Sequence, residues 1–189
     1  MQVSTAIDLV LTRLRDPNAT AHSRAFVMNL LSEAQRLVNA ASGSVVASSA
    51  LATEAQRQLY LITSSLPSVV RVLGVREGPR DLEQLDWRVL YQAFPRWHRA
   101  IGSRFEVFCL IGWDLLVVHP AKTEASSVDV IYVKLTTAFA LETDLFEIPD
   151  DLIPLAIDLT EAVLLLKNRS LVAAAVVGDR IAEKLGLKK

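Results

Sequence analysis

The sequence predicts an α+β fold, a helical bundle formed by both chain ends with a central β-rich insertion, and three observations predict it. Apolar residues recur at helical spacing before residue 43 and again after residue 147. Between those limits the apolar runs are short, rich in β-branched residues and punctuated by Gly and Pro. No repeat, low-complexity tract or interdomain linker interrupts the order. The expected organisation is an N-terminal helical pair (1–43), a β-rich insertion (44–147) and a C-terminal helical pair (148–189) packing on the first, all in one compact unit.

At the amino end Val3, Ile7, Val10, Leu11 and Leu14 mark a short amphipathic helix, with Thr5 as its cap, Asp8 reaching back and Asp16-Pro17 as its stop. Phe26, Leu30, Ala34, Leu37, Val38 and Ala41 mark the apolar face of a second helix that closes at Ser42-Gly43. Its opposite face carries Arg24, Glu33 and Arg36. From residue 45 the period changes, and Ser48 to Thr53, Gln58 to Ile62 and Val69 to Val75 read as strands.

Asp81 to Phe94 partly fits a short helix through Leu82, Leu85, Val89, Leu90 and Phe94. Phe105 to Ile111, Asp114 to His119 and Val128 to Thr137 supply three more strands, with Gly112 at a tight turn and Pro120 to Ser127 as a loop. Asp150 or Asp151 is expected to cap the next helix, Pro154 sits in its first turn, and Leu152, Leu155, Ala156, Leu159, Val163 and Leu166 form its stripe. Lys167 to Ser170 breaks it. Leu171, Ala174, Ile181, Ala182 and Leu185 define a last helix, with Gly178 on the same face for close contact and Gly186 as the stop.

At 189 residues the chain is long enough to bury its own core without metal or disulfide, and its net charge of −1 gives no general attraction to nucleic acid or anionic membrane. Cys109, flanked by Val107, Phe108, Leu110 and Ile111, reads as a buried small hydrophobe. Asp8 and Arg13 interrupt the start in a way that argues against a signal peptide. No run of apolar residues reaches transmembrane length, so a soluble protein without membrane partners is expected. A hydrophobic fraction of 51% hints that other chains cover some apolar surface.

Catalytic and ligand motifs are lacking. His22, His98 and His119 are far apart and show no ligand spacing. Asp150-Asp151 suits a helix start better than acid-base work, and Glu142, Asp144 and Glu147 read as a solvated acidic loop. The chain has no nucleophile elbow, Walker loop or dinucleotide-binding turn. No enzyme and no cofactor are therefore expected. Two candidate surfaces remain. Arg88, Phe94 to Arg99 and Arg104 form the one basic-aromatic concentration, in which Arg96, Trp97, Arg99 and Arg104 are either interface residues or, with Trp97 stacking on a base, nucleic-acid contacts. Ala162 to Leu166 is apolar on every side, so Leu164 and Leu165 belong either to an interface or to a central core helix.

Several short motifs share an order with a known family. Gln56-Arg57-Gln58-Leu59-Tyr60-Leu61 leads into Leu66-Pro67, Val69 to Val75 follows, and Leu82-Glu83-Gln84-Leu85 precedes Trp97 and Gly102. Gly112-Trp113-Asp114 then runs through His119-Pro120, and Ile148-Pro149-Asp150-Asp151 opens the last third. Over roughly Phe26 to Leu185 this order resembles the head-to-tail adaptor, or connector, proteins of tailed bacteriophages. The resemblance implies a structural subunit of the virion neck, assembled in the host cytoplasm. It implies a homo-oligomeric ring, dodecameric in such families, that sits on the portal protein, extends the DNA channel and docks the tail or a stopper or tail-completion protein. Double-stranded DNA would pass without specific binding. A heterologous ring interface leaves two complementary faces on every monomer. The alternative function is a nucleic-acid-binding accessory protein using the Arg88 to Arg104 region. A small-molecule enzyme with an unrecognised pocket is the third class, with no motif to support it.

Overall fold

A computed structural model describes residues 1–185, and the chain divides into two compact units, Met1–Val45 with the chain from Thr136 onward, and Val46–Leu135. Gly186, the expected stop of the last helix, lies outside the described residues.

The first unit holds four helices among the described residues: α1 (Val3–Arg13), α2 (Arg24–Ser42), α5 (Ile153–Lys167) and α6 (Leu171–Lys184). Its core joins Val3, Ile7, Val10 and Leu11 of α1 to Val27, Leu31, Ala34 and Val38 of α2 and to Ile153, Ala156, Ile157 and Leu164 of α5. The expected apolar face of α2 is rotated. Leu37 is exposed and Phe26 and Leu30 are only partly covered, because the stripe that meets α1 and α5 starts one residue later, at Val27. Gly43 closes α2 with φ 67°, the left-handed value a helix C-cap favours.

Neither expected acidic or hydroxyl cap is used. α1 starts two residues before Thr5, and its first amides are met by backbone, Val3 N–H donating to the Asp144 carbonyl at 3.0 Å and Ser4 N–H to Glu142 at 2.8 Å. α5 starts at Ile153 with Leu152 at the cap position and no side-chain cap, while Asp150 lies 3.2 Å from the Met1 amino group. Pro154 does fall in the first turn of α5. On α6 only Ala174 and Val177 are buried, Leu171 and Leu185 are exposed, and a Cβ added at Gly178 would meet nothing within 4 Å. That glycine serves no close helix contact.

The second unit is built on two packed sheets. In chain order it contains β1 (Val46–Thr53), β2 (Leu59–Leu61), the short α3 (Ile62–Ser65), β3 (Val69–Glu77), β4 (Arg80–Asp81), β5 (Glu83–Gln84) and α4 (Trp87–Ala93). A 3₁₀ turn (Trp97–Arg99) follows, then β6 (Ile101–Gly102), β7 (Val107–Ile111), β8 (Leu115–His119), β9 (Ala121–Lys122) and β10 (Ser126–Lys134). One sheet runs β1-β10-β3-β4, antiparallel throughout, with Leu73 as the extra residue of a bulge where Val72 pairs Tyr132 and Gly74 pairs Ile131. The second runs β2-β8-β7-β5, and β6 pairs β9 separately. The strand expected at Ser48 to Thr53 is part of β1, which pairs with β10 along its whole length, and the loop expected at Pro120 to Ser127 includes the short β9.

Side chains alternate across a strand, and that alternation explains the unbroken apolar runs of β7 and β8. Phe108, Leu116 and Val118 face the core shared with Leu51, Val75, Val128, Val130 and Tyr132 of the first sheet. Val107, Cys109 and Val117 point the other way and are covered by Leu90, Leu85 and Trp97. The sheet is buried on both faces. The segment that covers its outer face is the basic-aromatic stretch.

Candidate assembly surfaces

Asp86 starts this covering segment, its carboxylate accepting the Arg88 amide at 2.8 Å and its carbonyl accepting the Leu90 amide at 3.0 Å. The short helix α4 then turns Leu90 inward, where it is fully buried, and leaves Trp87, Val89 and Tyr91 outside. After the helix, Gln58 anchors the chain from below. Its buried Nε2 donates to the carbonyls of Trp97 and Ala100, each at 2.9 Å. The Phe94 ring packs on His119 at 4.9 Å between centroids. Burial pushes the His119 pKa down against the opposing effects of Glu106 and a hydrogen bond to the Trp97 backbone. Burial likewise pushes the Cys109 thiol up to about 11, helped by the Asp86 charge, so this cysteine is an inert core residue.

Arg96, Arg99 and Arg104 are exposed with Arg88, and none of the four makes an ion pair among the described residues. Trp97 is half-buried, one part in the cluster behind it and the rest on the surface. Ala93, Phe94, Pro95, Arg96, Trp97 and Ala100 line an open, mainly apolar depression of about 430 Å³. The structure thus places Arg96 and Trp97 on one apolar floor, with Arg99 exposed in the turn that follows. Leu164 is different. It is fully buried in the helical core, so it cannot serve as a free face, while Leu165 is partly covered and the exposed apolar groups of that turn are Val163 and Leu166.

Two features of the helical unit escape sequence reasoning. The first is a charge network. Arg13 of α1 reaches Asp158 and Glu161 of α5 at 2.9 and 3.2 Å, Arg180 of α6 reaches Glu161 at 2.9 Å, and Lys184 pairs with Asp158. The only signal for it was a pair of acids three residues apart within an apolar helix.

The second is the ordered loop Thr136–Leu152. Buried Gln35 donates to the Thr137 carbonyl at 3.4 Å and accepts the Glu147 amide at 2.8 Å, and Ser32 accepts the Phe139 amide at 3.0 Å. Asp144 accepts the amides of Ala140 and Leu141 at 2.8 and 2.9 Å, which holds its pKa below the usual carboxylate range. Arg24 grips Glu142 through Nε and Nη2 and Asp8 through Nη1. A loop this well tied presents Leu141 and Leu145, each 63% exposed, in fixed positions.

A family model, described as SU10 adaptor protein, matches residues 1–186. The chain belongs to the SU10 adaptor family. No curated protein matches it significantly. Membership agrees with the resemblance to phage adaptors and implies a structural, non-enzymatic part in the virion. For an adaptor, a surface is the functional site. Among the described residues no group of His, Cys, Asp and Glu could hold a metal ion, and no helix is long and apolar enough to cross a membrane.

Proposed function

We propose that this chain is a head-to-tail adaptor subunit of a tailed phage. In this reading it forms a ring on the portal protein, dodecameric as in similar families, extends the DNA channel and offers a docking surface to the tail, stopper or tail-completion protein. It assembles in the host cytoplasm and resides in the virion neck. The observation that carries the reading is the adaptor family match along nearly the whole chain. Exposed apolar groups that the monomer has no use for support it, among them Trp113 at the β7–β8 turn and Leu166, Leu171, Val172 and Val176 on α5 and α6.

A channel for sliding DNA must not grip phosphates, because each neutralised phosphate releases counterions and adds affinity. The Arg96 to Arg104 cluster is accordingly assigned to protein contacts and turned from an acidic or mixed lumen.

The test is affinity capture of the tagged chain from cells in which its phage is assembling, with co-purifying proteins identified by mass spectrometry and particles imaged. A portal ring carrying this chain in matching stoichiometry is the expected result. Recovery of nucleic acid without portal would overturn it in favour of the accessory-protein alternative.

A further inference from the structure

We infer that the basic-aromatic face of one copy, Trp87–Arg104, receives the acidic, leucine-bearing loop Thr136–Leu152 of a second copy. This deepens the adaptor reading, on which the ring it would build rests. Charge supplies the first argument. Residues 87–104 contain four arginines and no carboxylate, whereas residues 136–152 contain five carboxylates and no Lys or Arg. The near-zero net charge of the chain therefore conceals two strongly opposed segments, one in each unit. Charges of this kind steer and orient an encounter.

Shape and chemistry supply the second argument. The basic face has an apolar floor at Phe94, Pro95 and Trp97, rimmed by Arg96, with Tyr91 and Ile101 also exposed. The loop offers two fixed aliphatic knobs, Leu141 and Leu145, beside Asp144, with the exposed Asp150 and Asp151 later in the same loop. Aromatic and Arg groups around a pocket that accepts an aliphatic side chain are the residue types that carry binding energy at interfaces. Because the loop is already ordered by Gln35, Ser32 and Arg24, little conformational entropy is lost when it docks. When the two different patches meet head to tail, the pair keeps one unsatisfied patch of each kind, one on each copy, and addition continues until a ring closes.

The test uses two reversed full-length chains, Arg96→Glu with Arg99→Glu, and Asp150→Lys with Asp151→Lys, whose folding is checked by circular dichroism. Sedimentation velocity of the wild-type chain over a concentration series should show self-association that salt weakens. Either reversal alone should lower association by about tenfold or more, and an equimolar mixture of the two should restore it, since each altered patch then meets its complement. Leu145→Ser should weaken association without changing its salt dependence.

A wild-type chain that stays monomeric both free and on portal-bearing particles would overturn the inference. So would association that both reversals leave intact, or a mixture that fails to recover. Recruitment to portal-bearing particles is measured separately. Self-association through these patches without recruitment sinks the adaptor reading and keeps the interface, whereas recruitment that survives both reversals does the opposite.

Discussion

The Arg13 guanidinium meets the Asp158 carboxylate at 2.9 Å across 145 positions of sequence, tying the first helix of the helical unit to its penultimate one. Only 1% of the Asp158 side chain is exposed, and Lys184 approaches it from α6. Removing one member of a buried pair strands its partners, which costs more than the pair contributes when intact. Asp158→Ala should destabilise the helical unit by about 3 kcal/mol. Urea unfolding followed by circular dichroism measures this, and an unchanged midpoint would show that the network is solvated and dispensable.

Asp16 is the second case. Its carboxylate accepts the Thr20 hydroxyl at 2.7 Å and the amides of Thr20, Ala21 and His22 at 2.8, 3.0 and 2.9 Å, which lowers its pKa from 3.8 to about 2. The Thr20 hydroxyl is the largest contributor. A carboxylate depressed in the folded state stabilises above its unfolded pKa and loses that contribution as pH falls through the folded value. Glu142, held by Arg24, and Asp144 are depressed too and act in the same sense. Stability should therefore decline from pH 3.8 toward about 2, and Asp16→Asn should flatten part of that slope. Thermal melts of both proteins across the window decide the matter, with parallel curves counting against the assignment.

Gly102 lies in the strand pair β6–β9, where an added Cβ would stand 2.6 Å from Cγ of Pro120. A proline ring has little room to yield. Gly102→Ala should cost about 1–3 kcal/mol and loosen the turn that carries Arg99 and Arg104. Increased proteolysis after Arg99 or Arg104, with the helical unit unaffected, is the expected readout.

Much of this fold was legible because periodicity survives packing. Helical spacing placed α1 and α2, and β-branched runs placed β3, β7, β8 and β10, within a few residues. What failed was local competition. Thr5 and the Asp150-Asp151 pair are good caps by type, yet the loop carbonyls of Glu142 and Asp144 reached the α1 amides first, and Asp150 turned to the Met1 amino group. The face of α2 slipped because Leu37 is as apolar as Val38, and only the positions of α1 and α5 decide which is covered. Of the candidate site, composition marked Arg96, Trp97, Arg99 and Arg104, but not the depression that Arg96 and Trp97 line, beside a turn that Gln58, just before β2, grips from 39 positions away. Glu142, Asp144 and Glu147 were visible as an acidic cluster, whereas the mounting of their loop on Gln35 and Ser32 requires tertiary contacts.

Cys109 offers a direct check on the covering segment. It is fully enclosed beneath Leu90 and Trp97, and its thiol is pushed up to about 11 by burial, so at neutral pH it is both hidden and protonated. A maleimide reagent should leave the native protein unlabelled and react fully in denaturant. Leu90→Ala, which opens the cover, should permit labelling while costing about 2–5 kcal/mol. Rapid labelling of the wild-type chain would mean that the segment opens readily and is no fixed platform for partners.

Along the turn Val163 to Leu166, the core and the surface separate residue by residue. Leu164 is fully buried, so Leu164→Ala should cost about 2–5 kcal/mol through the cavity left among Leu11, Leu31 and their neighbours. Leu166 and the 82% exposed Val172 have no such cavity to leave, and Leu166→Ser with Val172→Ser should change stability by only about 0.5 kcal/mol each. Their apolar surface has a cost in solubility that an isolated chain would have no reason to bear. If the adaptor ring covers this face, the double substitution should leave the free chain stable and more soluble while reducing its incorporation into particles. Stability by chemical denaturation and incorporation by quantitative mass spectrometry separate the two effects. A double variant that assembles as well as wild type would show that this face stays in solvent, and would leave the Trp87–Arg104 surface and the Thr136–Leu152 loop as the sites of contact between subunits.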